Sequence, residues 1–288
     1  MHKLGYRNTD GYLAHPDKRI AIFVGDFIDR GPRIRETLQI VKPMVKNGSA
    51  LAVIGNHEYN AICFNTLIEG ENFLREHSDK NIHQHIATIH AFNNHRDEWY
   101  EYLEWFKTLP IYLEINGLRV IHAYWSNKNI DFLKYFYPDN RLTQELLFKS
   151  SDSLSTENRV VDELLKGPEL ELPEGNKFID KDGNIRGHAR IKWWHNNSRM
   201  TYSELAFTDE IIDTEIPESI LGMIELYDAQ SPPVFFGHYW LNGNPQILSS
   251  NTCCLDYSVA KGGYLVAYRW DGEQVLSNDK LTSVKVLK

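Results

Sequence analysis

Two apolar runs near the start of the chain, Ile20-Ala21-Ile22-Phe23-Val24-Gly25 and Ala50-Leu51-Ala52-Val53-Ile54-Gly55, show no polar alternation. That is the pattern of strands buried on both faces in a parallel sheet. Between them, Ile34, Leu38, Val41 and Val45 recur at helical spacing after Gly31-Pro32, with Pro32 suited to the first turn and Asn47-Gly48 to a C-terminal cap. Strand, helix and strand with a right-handed crossover bring Asp26 and Asn56 to one sheet edge.

From Ala61 to Leu109, helical patterns mixed with Trp99, Tyr102, Trp105 and Phe106 predict helices packed on that sheet. Residues 111–115 and 118–122 flank Asn116-Gly117, a strong hairpin signal, so His122 is expected at a strand end. Val234-Phe235-Phe236-Gly237 delivers His238 in the same way. Residues 126–233 are more polar and are broken by Gly167-Pro168, Pro173 and Pro217. They read as a cap or a set of long loops inserted into a single domain of residues 1–288. The tail predicts strands in 246–259 and 264–270, with Asp271-Gly272 turning into a strand at Gln274-Val275-Leu276.

With 288 residues, 42% of them hydrophobic, the chain can bury a core without metal or disulfide staples. Thirty-one Lys and Arg against 39 Asp and Glu give a net charge of −8, so nucleic acid is not the expected partner. A phosphorylated small molecule or phosphoprotein fits better. Cys63, Cys253 and Cys254 form neither a disulfide framework nor a zinc-knuckle spacing, which agrees with a reducing compartment. No apolar stretch is long enough for a signal peptide or a membrane span, so the expected location is the cytoplasm.

Gly25-Asp26-Phe27-Ile28-Asp29-Arg30-Gly31, Gly55-Asn56-His57-Glu58, Val120-Ile121-His122-Ala123 and Gly237-His238 resemble, in order, the motifs of the calcineurin-like metallophosphoesterases. Within that superfamily the resemblance is to the Ser/Thr phosphatase and diadenosine-tetraphosphatase branch. It implies an α/β fold, a β-sandwich of two mixed sheets flanked by helices. It also implies metal-dependent hydrolysis of phosphoester or phosphoanhydride bonds by in-line attack of a metal-bound hydroxide, on a dinucleoside polyphosphate or a phosphoprotein. A dinuclear centre of manganese, with iron or zinc as other fits, would screen the phosphoryl charge. By the same resemblance Asp26 is the bridging carboxylate, and Asn56, His122 and His238 are the other ligands of the second metal. His57 protonates the leaving oxygen, Asp29 orients its ring, and Arg30 and Asn56 hold phosphate.

The family's opening Gly-Asp-x-His-Gly motif has no counterpart before Ile20. The expectation is therefore an N-terminally truncated domain in which one metal is fully liganded. The alternative is a catalytically impaired, phosphate- and metal-binding pseudo-phosphatase. His15-Pro16-Asp17 cannot substitute, because some nine extended residues separate it from Asp26 by roughly 30 Å.

His77, His83, His85, His90 and His95 lack a metal-ligand spacing and read as surface histidines. Arg186, His188, Arg190 and Lys192 before Trp193-Trp194 could wall a nucleotide site, but a solvated strand packing its tryptophans is preferred. Cys253 and Cys254, beside Asp256, read as small core residues.

Overall fold

The computed structural model describes residues 1–68, 70, 72–179, 183–195, 197 and 199–286. A short hairpin, β1 (Arg7–Thr9) with β2 (Tyr12–Ala14), precedes β3 (Ala21–Phe23). Helix α1 (Ile34–Lys46) then returns the chain to β4 (Ala50–Ala52), which pairs parallel with β3, Ala21 opposite Ala50. The buried residues of α1 are Ile34, Leu38, Val41 and Met44, three or four apart, so one stripe faces the sheet. Met44 rather than Val45 completes that stripe, and the helix begins at Ile34 rather than at Pro32. Strand β3 is only half-buried, not buried on both faces as its apolar run predicts. Among the described residues it pairs with β4 alone, which makes it an edge strand.

Helices α2 (Asn56–Asn65), α3 (Asp79–Phe92) and α4 (Arg96–Lys107) follow, and α4 buries Trp99, Tyr102 and Phe106 as expected. Strands β5 (Tyr112–Ile115) and β6 (Leu118–Ile121) form the predicted hairpin. Asn116 and Gly117 turn it with φ of 50° and 84°, the left-handed pair that such a turn demands. Helices α5 (Asn127–Phe136), α6 (Gln144–Ser151) and α7 (Thr156–Lys166) come next. The hydroxyls of Ser126, Thr143 and Ser155 cap their first turns.

Short elements then lead on: β7 (Glu169–Glu171), β8 (Phe178–Ile179), β9 (Ile185–Arg186), β10 (His188–Arg190), α8 (Tyr202–Leu205) and α9 (Glu218–Leu221). Strand β11 (Val234–Phe236) lies parallel between β6 and β12 (Thr252–Cys254), giving the order β12-β11-β6-β5. A second, antiparallel sheet contains β13 (Asp256–Tyr257), β14 (Tyr264–Tyr268) and β15 (Leu281–Lys285). The strand predicted at 274–276 does not form. Glu273 instead accepts from Asp271 N–H and, through its carbonyl, from Trp270 Nε1–H. The chain therefore turns until Leu281, which pairs with Tyr268.

Alternation along the central strands sorts side chains into two cores. Val120, Phe235 and Cys253 point to the core shared with Tyr268 and Leu281 of the second sheet. Ile121, Phe236 and Cys254 point to the larger core beneath the helices. The result is the expected layered α/β sandwich. All three cysteines are buried and unbridged. Trp193 and Trp194 pack inside, against Phe236, so the preferred reading of that dipeptide holds. No helix among the described residues is long and apolar enough to cross a membrane.

Candidate metal centre and active site

Two glycines let the β3 and β4 ends touch. A Cβ on Gly25 would sit 2.6 Å from Gly55 N, and one on Gly55 would meet Asp26 Oδ1 and, at 2.6 Å, Asp26 N. Gly25 and Asp26 both take left-handed backbone, φ 89° and 58°. Non-glycine residues adopt that conformation at a cost. The fully buried Glu58 locks the junction by accepting from Gly55 N at 3.0 Å, Asp26 N at 2.8 Å and Phe27 N at 2.7 Å. Burial, together with the neighbouring Asp26 charge, pushes the Glu58 carboxyl up to about 7 against the pull of those N–H donors. The sequence reading gave Glu58 no role, although its place three residues past Gly55 at a helix start was a usable signal.

Asp26, His122 and His238 each present a ligand atom, all within 4.8 Å of one another. Asn56 Oδ1 lies 3.1 Å from His122 Nε2 and 2.8 Å from His238 Nδ1, and His122 Nε2 lies 3.4 Å from Asp26 Oδ1. Ligands about 2.0–2.2 Å from one cation are themselves roughly 3.0–3.4 Å apart, so these separations fit a shared ion. The proton count agrees. His122 Nδ1 sits 2.6 Å from the Val24 carbonyl, so Nδ1 is the donor there. In the neutral ring, the Nε2 lone pair then faces a carboxylate and an amide oxygen with no hydrogen between them. A metal cation or an Nε2 proton can fill that position, and a carbonyl behind the distal ring nitrogen is the usual support of a metal-binding histidine. His238, at φ 69°, keeps a buried Nε2 with no hydrogen-bond partner among the described residues.

The charges follow the same geometry. Burial alone would raise the Asp26 carboxyl, but His122 and His57 hold it well below the usual carboxylate range. Burial would lower His122, yet Asp26 lifts it. His238 is pushed well down, first by burial and then by the Arg190 guanidinium.

Beside this cluster, His57 Nδ1 lies 2.7 Å from Asp29 Oδ2. Asp29, also left-handed at φ 66°, has its other oxygen held by His85 Nδ1 and Thr88 Oγ1, each at 2.6 Å. His85 is thus a buried member of the site and not the surface histidine expected. On α3 it shares a buried stripe with Thr88 and Phe92. His77, His83, His90 and His95 are exposed, as predicted. Burial would lower His57, but Asp26, then the hydrogen bond and charge of Asp29, lift it to about 9. Arg30 is exposed at the rim, its Cζ 5.0 Å from the centre of the Trp240 ring. Thus Asp26, Asn56, His122 and His238 form one cluster and His57 and Asp29 flank it, while the Arg30 side chain lies against Trp240. His15 lies elsewhere, its ring edge-on to Tyr6.

A family model described as calcineurin-like phosphoesterase matches residues 6–238. The chain belongs to the calcineurin-like phosphoesterase family. Members of this metal-dependent family set the context for the Asp26, His122 and His238 cluster. The asymmetrical bis(5'-nucleosyl)-tetraphosphatase PrpE of Halalkalibacterium halodurans is 49% identical over 57 residues, which are 20% of this chain and 23% of that protein. PrpE of Oceanobacillus iheyensis is 26% identical over 124 residues, 43% of this chain and 48% of its own length. The chain therefore spans about a quarter to a half of these two relatives. The symmetrical bis(5'-nucleosyl)-tetraphosphatase of Methylobacillus flagellatus is 25% identical over 269 residues, covering 88% of this chain and 82% of that protein. Among solved structures, the cold-active protein-tyrosine phosphatase of a psychrophilic Shewanella covers 95% of this chain and 73% of its own. It does so at 14% identity and a TM-score of 0.41.

Proposed function

We propose that the chain hydrolyses phosphoester or phosphoanhydride bonds with a divalent cation, preferring a dinucleoside polyphosphate over a phosphoprotein. The observation that carries this reading is the convergence of Asp26, Asn56 and His122 lone pairs, with His238 beside them, next to a second, separately oriented histidine. Asp26, Asn56 Oδ1, His122 and His238 hold the cation. Mixed oxygen and imidazole ligands suit manganese, with iron or zinc as the other fits. In a dinuclear arrangement, as the family resemblance implies, Asp26 would be the shared carboxylate. When bound, the metal screens phosphoryl charge and activates water at neutral pH.

The remaining work falls to the chain itself. His57 gives its Nδ1–H to Asp29, so its Nε2 carries the exchangeable proton. Its raised basicity keeps that proton in place at neutral pH until the leaving oxygen needs it. Arg30 offers a planar fork of donors to the phosphoryl oxygens, and the Asn56 amide N–H₂ is left to do the same. Residues 126–233 act as a cap. Trp193 Nε1–H on the Ala123 carbonyl and the charge of Arg190 on His238 support that assignment. The unbridged thiols support a reducing, cytoplasmic setting. The names of the tetraphosphatase relatives support the preferred substrate class.

Turnover of diadenosine tetraphosphate, a phosphoserine peptide and p-nitrophenyl phosphate, each with manganese, iron or zinc added after chelation, tests the proposal. Metal-dependent hydrolysis fastest on the dinucleotide is expected. No turnover of any of the three with any of the metals would overturn it.

A further inference from the structure

Beyond the metal ligands, a second feature is built beside the site. Trp240 follows His238 by two residues and adopts left-handed backbone, φ 51°. Two cations from distant parts of the chain lie over its ring. The Arg30 Cζ is 5.0 Å from the ring centre and the Lys261 Nζ is 4.6 Å away. Both cations are exposed, and among the described residues neither is ion-paired with a carboxylate. In a chain of net charge −8, two such cations on one indole run against the overall balance, the ring lying two residues past His238 and Arg30 next in sequence to Asp29. Like charges held together are unfavourable unless an anion joins them.

The placement of Lys261 is fixed by backbone rather than by chance. Asp256 takes Trp240 N–H on one oxygen at 3.0 Å and Ser258 N–H on the other at 3.1 Å. One buried-side carboxylate therefore ties the loop after His238 to the turn that bears Lys261. Ser258, left-handed at φ 55°, donates its hydroxyl to the Leu241 carbonyl at 3.1 Å. Its own carbonyl accepts from Lys261 N at 2.9 Å and Gly263 N at 3.0 Å. The turn folds flat only because residue 263 is glycine: a Cβ there would collide with the Tyr257 carbonyl. His238, Trp240 and Ser258 thus form a run of strained, hydrogen-bonded backbone. Strain of this kind persists where the surroundings over-determine it, and it clusters at ligand sites.

A single phosphoryl group at the metal cluster is already served by the cation, Arg30 and Asn56. Lys261 is surplus to that need, and it reaches the same indole from the turn that follows Ser258. We propose that Lys261, with Arg30 across Trp240, forms a second phosphate subsite and sets a preference for substrates whose phosphate chain continues past the reacting phosphorus. The inference rests on the phosphohydrolase reading and assigns its selectivity to a residue outside the metal cluster and the His57–Asp29 pair.

The test compares binding of two ligands that share one nucleoside, adenosine 5'-monophosphate and the methylene-bridged analogue of adenosine diphosphate. Titration calorimetry on the full chain with manganese present serves for both. Wild-type protein should bind the bridged diphosphate more tightly. Lys261→Ala should weaken that ligand by about fivefold or more, the worth of a charge-assisted contact at a partly exposed site. It should change the monophosphate by less than about twofold, and Lys261→Arg should keep most of the preference. Equal weakening of both ligands, no weakening of either, or no preference in the wild type would overturn the proposal. Turnover of p-nitrophenyl phosphate by the wild type judges the hydrolase reading separately. Discrimination without turnover leaves the subsite standing and removes the hydrolase, and turnover without discrimination does the reverse.

Discussion

The sheet rim and the 126–233 segment are both well packed, by opposite means. At the rim the buried side chains are polar: Asp29, Asn56, His57, Glu58, His85, Thr88, His122 and His238. Their backbone is strained at Asp26, Asp29 and His238. In the segment the buried residues are mostly apolar, Val160, Leu164, Trp193, Trp194 and Leu205 among them, with Ser126, Asn129 and Ser150 the polar exceptions among the described residues, and among its described non-glycine residues Asn140 alone has positive φ. Burying polar groups in strained backbone opposes folding, whereas burying aromatics in relaxed backbone drives it. One region therefore keeps converging polar groups at a cost to stability, and the other is organised around its own stability.

That contrast breaks most visibly at Asp26. On the proposed function, Asp26→Asn removes the carboxylate of the cluster, and turnover of p-nitrophenyl phosphate should fall on the order of 10⁴-fold, about 5.5 kcal/mol. Bound metal, read by elemental analysis after dialysis, should fall with it. A variant that keeps both its metal and a tenth of its activity would mean that the cluster is not the centre. Trp193→Ala should do the opposite. The indole is fully buried, edge-on to Tyr124 and Tyr227, and its loss should cost about 3–5 kcal/mol in denaturant unfolding. Metal affinity should stay within about threefold. If metal affinity collapses as it does in Asp26→Asn, the two regions are one and the comparison fails.

His85 sharpens the boundary, since it touches no ligand atom of the cluster yet bonds Asp29 at 2.6 Å. His85→Phe should lower kcat by about 10- to 100-fold, the usual range for a group that orients another, with KM and metal content nearly unchanged. His85→Asn places an amide N–H close to where Nδ1–H stood and should recover most of the loss. Equal failure of both variants, or a fall in metal content, would assign His85 to general packing instead.

The division also explains what was legible in the sequence. Asp26, Asn56, His122 and His238 each follow a short apolar run, so period and position alone placed them at strand ends, two beyond the β3–β4 pair and two beyond β6 and β11, and the packing of those two sheets brings them together. The hairpin at Asn116-Gly117 was equally local, because two left-handed residues in a row permit little else. His85 was not legible. Its spacing from the exposed His83 and His90 looks random, and only the docking of α3 on Asp29 turns it inward. The strand at 274–276 was misread for a related reason: Asp271-Gly272 suits a two-residue turn, but Glu273 captures the Asp271 and Trp270 N–H groups and lengthens it. Local pattern carried the rim, whereas contacts between distant elements decided the rest.

The smallest expected effect lies in the pH dependence of stability. Burial would raise the Asp29 carboxyl, but hydrogen bonds from His57 and His85 outweigh it and hold the group well below the usual carboxylate range. A carboxyl depressed on folding contributes stability that is full above its unfolded value, about 3.9, and is lost as pH falls toward the folded value. Asp29→Asn deletes that contribution. At pH 7 the variant should be less stable than wild type by about 1–2 kcal/mol. The gap should narrow as denaturation is repeated at pH 5, 4 and 3, because the wild type alone gives up the ionised-state advantage. A gap that stays constant down to pH 3 would mean that the Asn side chain disrupts packing and that the Asp29 charge contributes nothing. The polarity of the rim would then be structural in the same sense as the aromatics of the 126–233 segment.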